Sequence, residues 1–341
     1  MSIPRPHFRL LALLAAVCLI VAACGDAETD DVAVDTVDGD VVDDGDDTTE
    51  ADHDHDHDDD DHSHDLVGID TSLFLDGALE GDPVVVDCTL TDGSSASCVQ
   101  LTVVGYPVDE GIGEFCPTTV DATADEVGIW FDGDAVYDLD GDFIVNLAEL
   151  YGDDTWQLFN DDGTVNVTDT EEAFDAAARP NVDPEYQNHC VEGQVEWLPD
   201  GEPITTTVTI PLEPVAADQS NDTGRNNLGV TMNGVVIANS APVDAILSAY
   251  TIAAFDDCGG HINPIDGYHL HGQTDCGEVE VDGHESLIGY ALDGYAIYDT
   301  TDATDLDACG GHTDDVRGYH YHAADTEVNA VIACFSGELA S

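Results

Sequence analysis

Positive charge is almost missing from this sequence. Its 341 residues include no lysine and five arginines against 74 aspartates and glutamates, which gives a formal net charge of -69 at pH 7. Such a surface repels nucleic acid and anionic lipid head groups, so we exclude DNA, RNA and lipid surfaces as partners. It attracts cations, and the imbalance is typical of a saline environment in which salt screens self-repulsion.

Signatures of nucleophilic and phosphate chemistry are missing as well. Ser94, Ser95 and Ser336 lack the strand–turn–helix context of a hydrolase serine, no glycine-rich phosphate loop precedes a helix, and no His-Glu-x-x-His occurs. Any catalysis would therefore have to depend on a bound metal ion. Whether the protein is an enzyme stays open.

The N-terminus is typical of a bacterial lipoprotein signal peptide. Residues 1–23 carry Arg5 and Arg9, then an apolar run from Leu10, with small residues directly before Cys24. The run has the length of a signal-peptide core and is short for a transmembrane helix. We therefore expect Cys24 to be lipidated. The mature protein would be exported and anchored on the extracytoplasmic side, at the cell surface or in the periplasm, with the lipid as its only membrane contact.

An acidic segment follows the signal peptide. Residues 26–65 contain 20 acidic residues and no basic one, and a chain with so much like charge and so few apolar groups cannot bury a core. We predict that residues 24–65 form a disordered tether. Its histidines beside carboxylates could bind Zn, Cu or Ni weakly, or the segment could be only a solubilising stalk. These histidines are His53, His55, His57, His62 and His64.

One histidine-rich pattern occurs twice. Cys258-Gly259-Gly260-His261 is followed after seven residues by His269-Leu270-His271, and the same pattern returns 51 positions later, from Cys309 to His322. Alternate residues of a strand share a face, so the two histidines of each His-x-His segment point the same way. With a third imidazole from the Cys-Gly-Gly-His turn, each copy can bind one ion and leave a coordination position open.

We therefore predict six ligands for a transition metal, Zn or Cu. They are His261, His269, His271, His312, His320 and His322. The alternative is that these side chains are hydrogen-bonded core or surface residues. His189 and His284 lie outside the repeats, and we expect them to matter less.

A predicted hairpin precedes each histidine pattern. Residues 229–237 parallel residues 289–297, with Asn-Gly in the first turn and Asp-Gly in the second, and both dipeptides predict type I′ turns. The hairpins are 60 residues apart and the histidine patterns 51, so the first unit carries nine extra residues, assigned to a helix-like run at 243–254. We expect the units to pack about a pseudo-two-fold axis with their histidine strands in one pocket. Two separate three-histidine sites are the alternative.

These features resemble the YHYH family. The resemblance extends over most of residues 85–341, and the first copy departs from it by reading Tyr-His-Leu-His at 268–271. The family's function is essentially unknown, so the resemblance implies no catalytic residue. The segments that carry it are residues 287–298, the tetrapeptide Tyr319-His320-Tyr321-His322 and residues 332–337.

Eight cysteines remain after Cys18 is removed with the signal peptide and Cys24 is lipidated. An even number in an exported chain implies disulfides. The alternative keeps Cys258 and Cys309 as thiolate ligands of a metal. The predicted pairs are Cys88–Cys98, Cys116–Cys190, Cys258–Cys276 and Cys309–Cys334.

A calcium-binding loop is a weaker hypothesis. Phe143 stands where such a loop requires glycine, so Asp-Gly turns on an acidic surface are the alternative. The oxygen-bearing side chains at positions 1, 3, 5, 9 and 12 of the EF-hand-type pattern are Asp138, Asp140, Asp142, Asn146 and Glu149.

The predicted fold is mainly β. It is a disulfide-stabilised, β-sandwich or barrel-like domain with a few short helices, in which an acidic β-rich region at 66–200 joins the duplicated region at 201–341. The predicted function is an extracytoplasmic, lipid-anchored protein that binds metal through its histidine clusters. The alternatives are a secreted metalloenzyme, hydrolytic or oxidative, with an open three-histidine site, and a structural or adhesive surface protein whose histidines bind no metal. Protein partners are not indicated.

Overall fold

An eight-stranded sheet organises the C-terminal half of the chain. The computed structural model describes residues 68–133, 135–178, 181–224, 227–273, 276–281 and 283–341. The predicted signal peptide, the lipidated Cys24 and the tether at 24–65 lie outside the described residues. Within the described ranges, no helix is long and apolar enough to cross a membrane.

Strands outnumber helices in the described residues, so the mainly β prediction is confirmed. The helices are α1 (Gly141–Tyr151), α2 (Glu171–Ala177) and α3 (Val243–Ser248). The strands of the first half are β1 (Val84–Thr89), β2 (Ser95–Val103), β3 (Ile129–Asp132), β4 (Ala135–Asp138), β5 (His189–Val191), β6 (Thr206–Pro211) and β7 (Ala216–Asn221). The strands of the second half are β8 (Gly229–Thr231), β9 (Val236–Ile237), β10 (Thr251–Ala253), β11 (Gly260–Asn263), β12 (Gly267–Leu270), β13 (Leu287–Ala291), β14 (Ala296–Tyr298), β15 (Gly311–Asp314), β16 (Gly318–His322) and β17 (Phe335–Gly337).

The large sheet has the internal symmetry that the repeat predicts. Its strand order is β11-β12-β9-β8-β13-β14-β16-β15, so the second unit reproduces the first in reverse about the central pair β8 and β13. That central pair is antiparallel, and β12 pairs with β9 in parallel as β16 does with β14. The pseudo-two-fold relation of the units is therefore confirmed.

Glycine allows the two units to meet at the sheet centre. A Cβ on Gly229 would lie 2.4 Å from the Tyr290 carbonyl oxygen, and one on Gly289 would lie 2.0 Å from the Val230 carbonyl oxygen. Any side chain at either position would force β8 and β13 apart. The same two glycines open the repeated hairpins in the sequence.

The hairpins form where predicted, but their turn type differs. A type I′ turn needs positive φ at both central residues, whereas Gly234 and Gly294 have φ of 96° and 93° and the preceding Asn233 and Asp293 are not among the positive-φ residues. The amide of Gly234 donates to the Thr231 carbonyl. Each hairpin therefore has a three-residue loop whose last residue is a glycine with positive φ. The loop has one residue more than the predicted two-residue turn, and this arrangement accommodates the twist of the strands.

A smaller sheet covers the centre of the large one. It has the order β1-β2-β6, and Val99, Leu101 and Ile210 of its strands share a buried cluster with Val230 and Val236 of the large sheet. Alternating apolar residues on β2 and β6 produce this face. The complete sandwich or barrel closure of the fold remains a prediction.

A second core, which is rich in aromatic residues, surrounds α1 and the β3–β4 hairpin. Trp130, Phe131 and Phe255 are fully buried there, with Phe131 and Phe255 in edge contact at a centroid distance of 5.1 Å. Phe255 links this core to the first histidine cluster. Helices α1 and α2 are among the few short helices that the predicted fold contains, whereas the predicted helix-like run at 243–254 is divided between α3 and β10.

The four predicted disulfides are all present, so the connectivity is confirmed. The alternative of thiolate ligands at Cys258 and Cys309 is contradicted, because both sulfurs are bonded to other cysteines. The bonds are Cys88–Cys98, Cys116–Cys190, Cys258–Cys276 and Cys309–Cys334.

Residues 138–149 do not form the hypothesised calcium-binding loop. Residues 141–151 form helix α1, and the Asp140 side chain caps its N-terminus by accepting from the Phe143 amide at 2.8 Å. Helical backbone spreads Asp142, Asn146 and Glu149 along a helix instead of wrapping them around an ion. Asp138 ends strand β4. Without glycine at position 143, the chain continues into a helix where an ion-binding loop would have to turn.

Candidate metal centres

The first histidine cluster is built by the β11–β12 hairpin. His261 and His269 are directly opposite in the antiparallel register, and His271 follows two residues later on the same face. The His261 Nε2 atom lies 3.2 Å from Nε2 of His269 and 3.2 Å from Nε2 of His271. Three ring nitrogens therefore converge on one point.

The opposite ring nitrogens are fixed by backbone carbonyls. Nδ1 of His269 lies 2.9 Å from the Gly267 oxygen, and Nδ1 of His271 contacts the Asn239 oxygen just after strand β9. A carbonyl only accepts, so each Nδ1 carries the proton and each neutral ring presents an Nε2 lone pair to the cluster. This second contact of each ring is the arrangement found around metal-bound histidines.

The second cluster repeats this geometry on β15 and β16. His312 is opposite His320 in the register, and their Nε2 atoms are 3.1 Å apart. Nδ1 of His320 lies 3.0 Å from the Gly318 oxygen, and Nδ1 of His322 lies 2.7 Å from the Asp299 oxygen. Both carbonyls stand at the positions that correspond to those in the first unit.

In the second cluster the proton positions leave no hydrogen bond between the rings. Nδ1 of His312 lies 3.2 Å from a carboxylate oxygen of Asp305, so this ring too has its proton on the outer nitrogen. His312, His320 and His322 then turn Nε2 lone pairs toward one another. The Nε2 atom of His322 is buried and has no hydrogen-bond partner among the described residues. A cation is the group that satisfies such a set.

Burial keeps most of these imidazoles neutral. Desolvation lowers the pKa of His271 to about 3, assisted by nearby His269, and lowers the pKa of His320 to about 4. The pKa values of His261 and His322 are also lowered, with burial as the main cause. Neutral imidazole is the form that binds metal, so the clusters are ready to bind at neutral pH.

The second cluster contains a fourth histidine, His284, from the segment before β13. One ring nitrogen of each of His284, His312, His320 and His322 lies within 4.8 Å of those of the others. The His284 ring is stacked on His322 at a centroid distance of 5.1 Å and meets the edge of His320 at 4.9 Å. This residue has no counterpart in the first unit, so the expectation that it matters less than the repeated histidines is wrong for its position in the cluster.

The surroundings of the two clusters differ as well. The ring of Phe255 stacks on His261 at 4.7 Å and meets His271 edge-on at 5.5 Å. Leu306 occupies the corresponding position of the second unit in the sequence, where the exposed Asp305 instead contacts His312. The first cluster is thus covered by an aromatic ring and the second is supported by a carboxylate.

The Cys-Gly-Gly-His turns are shaped by a buried carboxylate and a tyrosine. Asp256 accepts hydrogen bonds from the amides of Cys258 and Gly260 and from the Tyr268 hydroxyl at 2.9 Å. A Cβ on Gly260 would lie 2.3 Å from the same hydroxyl oxygen, so only glycine fits below the ring. Burial raises the pKa of Asp256 to about 6.

The second unit repeats these contacts around Asp307. The amides of Cys309 and Gly311 and the Tyr319 hydroxyl donate to its carboxylate. The repeated tyrosines therefore support the turns rather than pointing at the histidine nitrogens. They fix the position of the third histidine of each cluster relative to the His-x-His strand.

The two clusters are separate sites. Strands β9, β8, β13 and β14 lie between β12 and β16, so five strand spacings of about 4.8 Å put the histidine strands roughly 24 Å apart. The prediction of one shared pocket is wrong. The two glycine-turn hairpins, β8–β9 and β13–β14, form the centre of the sheet, and the strands that carry the histidines lie toward its two opposite edges. All six predicted histidines lie in the two clusters, while His189 lies in neither.

Comparison with known proteins identifies the central part of the chain. The model of the YHYH protein family matches residues 207–305. This segment contains both hairpins and the first cluster, and it ends before β15, so it is shorter than the expected range of 85–341. No curated protein and no solved structure matches the chain. The resemblance to the YHYH protein family is therefore confirmed for residues 207–305, which match the model of that family.

Proposed function

We propose that this chain is an extracytoplasmic metal-binding protein that holds one transition-metal ion at each end of its large sheet. The observation that supports this most directly is the convergence of Nε2 atoms in two places, while the opposite nitrogens of five of the six histidines contact carbonyl or carboxylate oxygens. Imidazoles packed with facing lone pairs repel one another unless a cation lies between them.

The nitrogen spacing is appropriate for zinc or copper. Nε2 atoms lie 3.1 to 3.2 Å apart, and a tetrahedral ion with bonds of about 2.0–2.1 Å would hold its ligands about 3.4 Å apart. A shift of a few tenths of an ångström completes either site. Donor sets made only of imidazole favour Zn, Cu, Ni or Fe and disfavour Ca and Mg, which prefer oxygen.

Export and lipid anchoring complete the proposal. They are supported by the small residues before Cys24 and by four disulfides, which persist in oxidising compartments. An anchored protein of this charge would collect cations outside the cytoplasm. Transition-metal ions bound at the two clusters are its proposed ligands.

Elemental analysis of untagged protein tests the proposal. The full chain is prepared with the five tether histidines replaced by asparagine, so that only the folded part binds, and is dialysed against zinc or copper. Two ions per chain are expected, one for each cluster. His271→Asn and His322→Asn should each remove one ion, and the matched control His189→Asn should remove none.

A different result would favour another class of protein. Metal below a tenth of an equivalent after loading would overturn the proposal and favour a structural surface protein. Unchanged stoichiometry in both cluster variants would show that metal binds elsewhere. Mass spectrometry of the membrane fraction, with Cys24→Ser as the control, tests the lipid anchor separately.

A further inference from the structure

We infer that His284 is a fourth ligand that makes the second cluster a closed four-nitrogen site, whereas the first cluster binds its ion with three nitrogens and admits an exogenous ligand. This inference rests on the proposed function and assigns different ligand access to its two sites. It follows from the difference between otherwise matching halves of the sheet.

The first step is the position of the His284 ring. It lies against His320 and His322, with one ring nitrogen inside the 4.8 Å group of ligand atoms. Its Nδ1 atom faces Glu285, 3.3 Å from the carbonyl oxygen and 3.3 Å from a carboxylate oxygen. Those acceptors place the proton on Nδ1 and leave Nε2 as the donor to a metal, as in the other histidines.

The second step is the nearly complete withdrawal of this ring from water. The His284 side chain is 9% exposed, and its ring packs on the edge of Tyr298 at a centroid distance of 4.3 Å. The glutamate beside it is held by Thr301, whose hydroxyl donates to the Glu285 carboxylate at 2.7 Å. The side chain is therefore positioned before any ion binds.

The third step is coordination number. Four imidazoles complete a tetrahedral shell, so an ion in the second cluster has no position left for water or an anion. Three imidazoles with the same spacing leave one position, and among the described residues His261, His269 and His271 form the whole first group. A zinc or copper ion there would take water, or a small anion or neutral donor, as its fourth ligand.

Cobalt(II) with azide tests this inference. In chains with asparagine at the tether histidines, His261→Asn with His271→Asn isolates the second site, and His312→Asn with His322→Asn isolates the first. Both should bind one cobalt ion. Azide should change the visible spectrum of the first site saturably and leave the four-coordinate spectrum of the second unchanged.

His284→Ala in the second-site chain is the decisive variant. Removing a direct ligand should weaken cobalt binding by at least about tenfold, since even outer-sphere partners cost 10–100-fold, and it should create a response to azide. Added imidazole should restore the four-nitrogen spectrum by filling the space. His284→Gln provides a second variant of similar size, and His189→Ala is the matched control that should change neither affinity nor azide response.

The outcomes separate the two proposals. If neither isolated site binds cobalt, the proposed function itself fails. If both bind but His284→Ala and His284→Gln keep wild-type affinity and stay insensitive to azide, His284 is only a packing residue and the inference is overturned. An azide response from the second site with His284 intact would overturn it as well.

Discussion

The metal-free protein is expected to lose stability as the pH falls from 7.5 to 5.5, and His271 should account for a measurable part of the loss. Burial lowers the pKa of this imidazole from 6.5 to about 3. The unfolded chain therefore binds a proton below pH 6.5 that the folded chain does not. A histidine with a lowered pKa contributes stability above the unfolded pKa, and this contribution is lost as the pH falls toward the folded value.

The size of the effect follows from the two pKa values. At pH 5.5, one unit below the unfolded pKa, His271 costs about 1.4 kcal/mol relative to pH 7.5. Asp256 acts in the opposite direction, because burial raises its pKa from 3.8 to about 6. Its uptake of a proton in the folded state returns about 0.8 kcal/mol at pH 5.5. These two contributions partly cancel, and the other buried histidines also have lowered pKa values, so a difference between variants is needed to isolate His271.

Urea unfolding in chelator at the two pH values, followed by tryptophan fluorescence, measures that difference. His271→Gln removes the titrating group, so its free energy of unfolding should fall by about 1.4 kcal/mol less than that of the wild type. Saturating zinc should stabilise the wild type at pH 7.5 by about 2.7 kcal/mol per site at a hundred times the Kd. A variant whose loss equals that of the wild type would refute the reasoning, because the imidazole would then titrate alike in both states.

Three further predictions concern the scaffold. Tyr321→Phe should cost about 1–3 kcal/mol in urea unfolding, because its buried hydroxyl donates to Asp293 and accepts from the Ser336 amide, whereas Tyr137→Phe on a partly exposed strand should change stability by less than about 0.5 kcal/mol. Replacing both cysteines of the Cys258–Cys276 bond, which closes 18 residues, should cost about 3 kcal/mol and lower occupancy of the first site more than that of the second. Deletion of residues 24–65 should leave metal stoichiometry and thermal stability unchanged, since a tether of that composition has too few apolar groups to pack against the folded part.

Each of these has an opposing result. Equal losses from Tyr321→Phe and Tyr137→Phe would show that the buried carboxylate does not need its tyrosine partner. Equal occupancy of both sites without the Cys258–Cys276 bond would mean that the turn keeps its shape unaided. A large fall in tight metal binding after the deletion would transfer the main site to the tether histidines.

Local spacing in the sequence was enough to predict the parts that depend on neighbours along the chain. Six of the seven clustered histidines follow from strand alternation and one fixed repeat. The Cys88–Cys98 disulfide follows from the same kind of reasoning, because both cysteines lie in the β1–β2 hairpin, where Cys88 is opposite Ala96 and Cys98 is opposite Val86. The hairpins themselves were signalled by Asn-Gly and Asp-Gly, although the loop contains one residue more than the predicted turn.

Long-range pairing could not be obtained in this way. The sequence does not indicate which strand of each hairpin pairs with the other unit. Because β8 pairs with β13, the histidine strands lie toward opposite edges of the large sheet. His284 was missed because it comes from an irregular segment with no repeated counterpart, and only its place just before β13 hinted at the cluster. The calcium-loop hypothesis was wrong because residue 143 is Phe and not the glycine that an ion-binding turn needs. Asp140 instead caps helix α1 by accepting a hydrogen bond from the Phe143 amide.

Fusing two related units in one chain removes a restriction that a symmetric assembly would impose. If the same sheet were made by two identical chains, a histidine such as His284 would appear at both ends or at neither, and so would Phe255. Here Gly229 and Gly289 allow β8 and β13 to pair closely at the centre of the sheet. The residues around the histidines can nevertheless differ between the two edges, because each edge is encoded separately. In the proposed metal-binding protein, one end could therefore bind its ion more tightly while the other exchanges it, and a single mutation could alter either site without changing its counterpart.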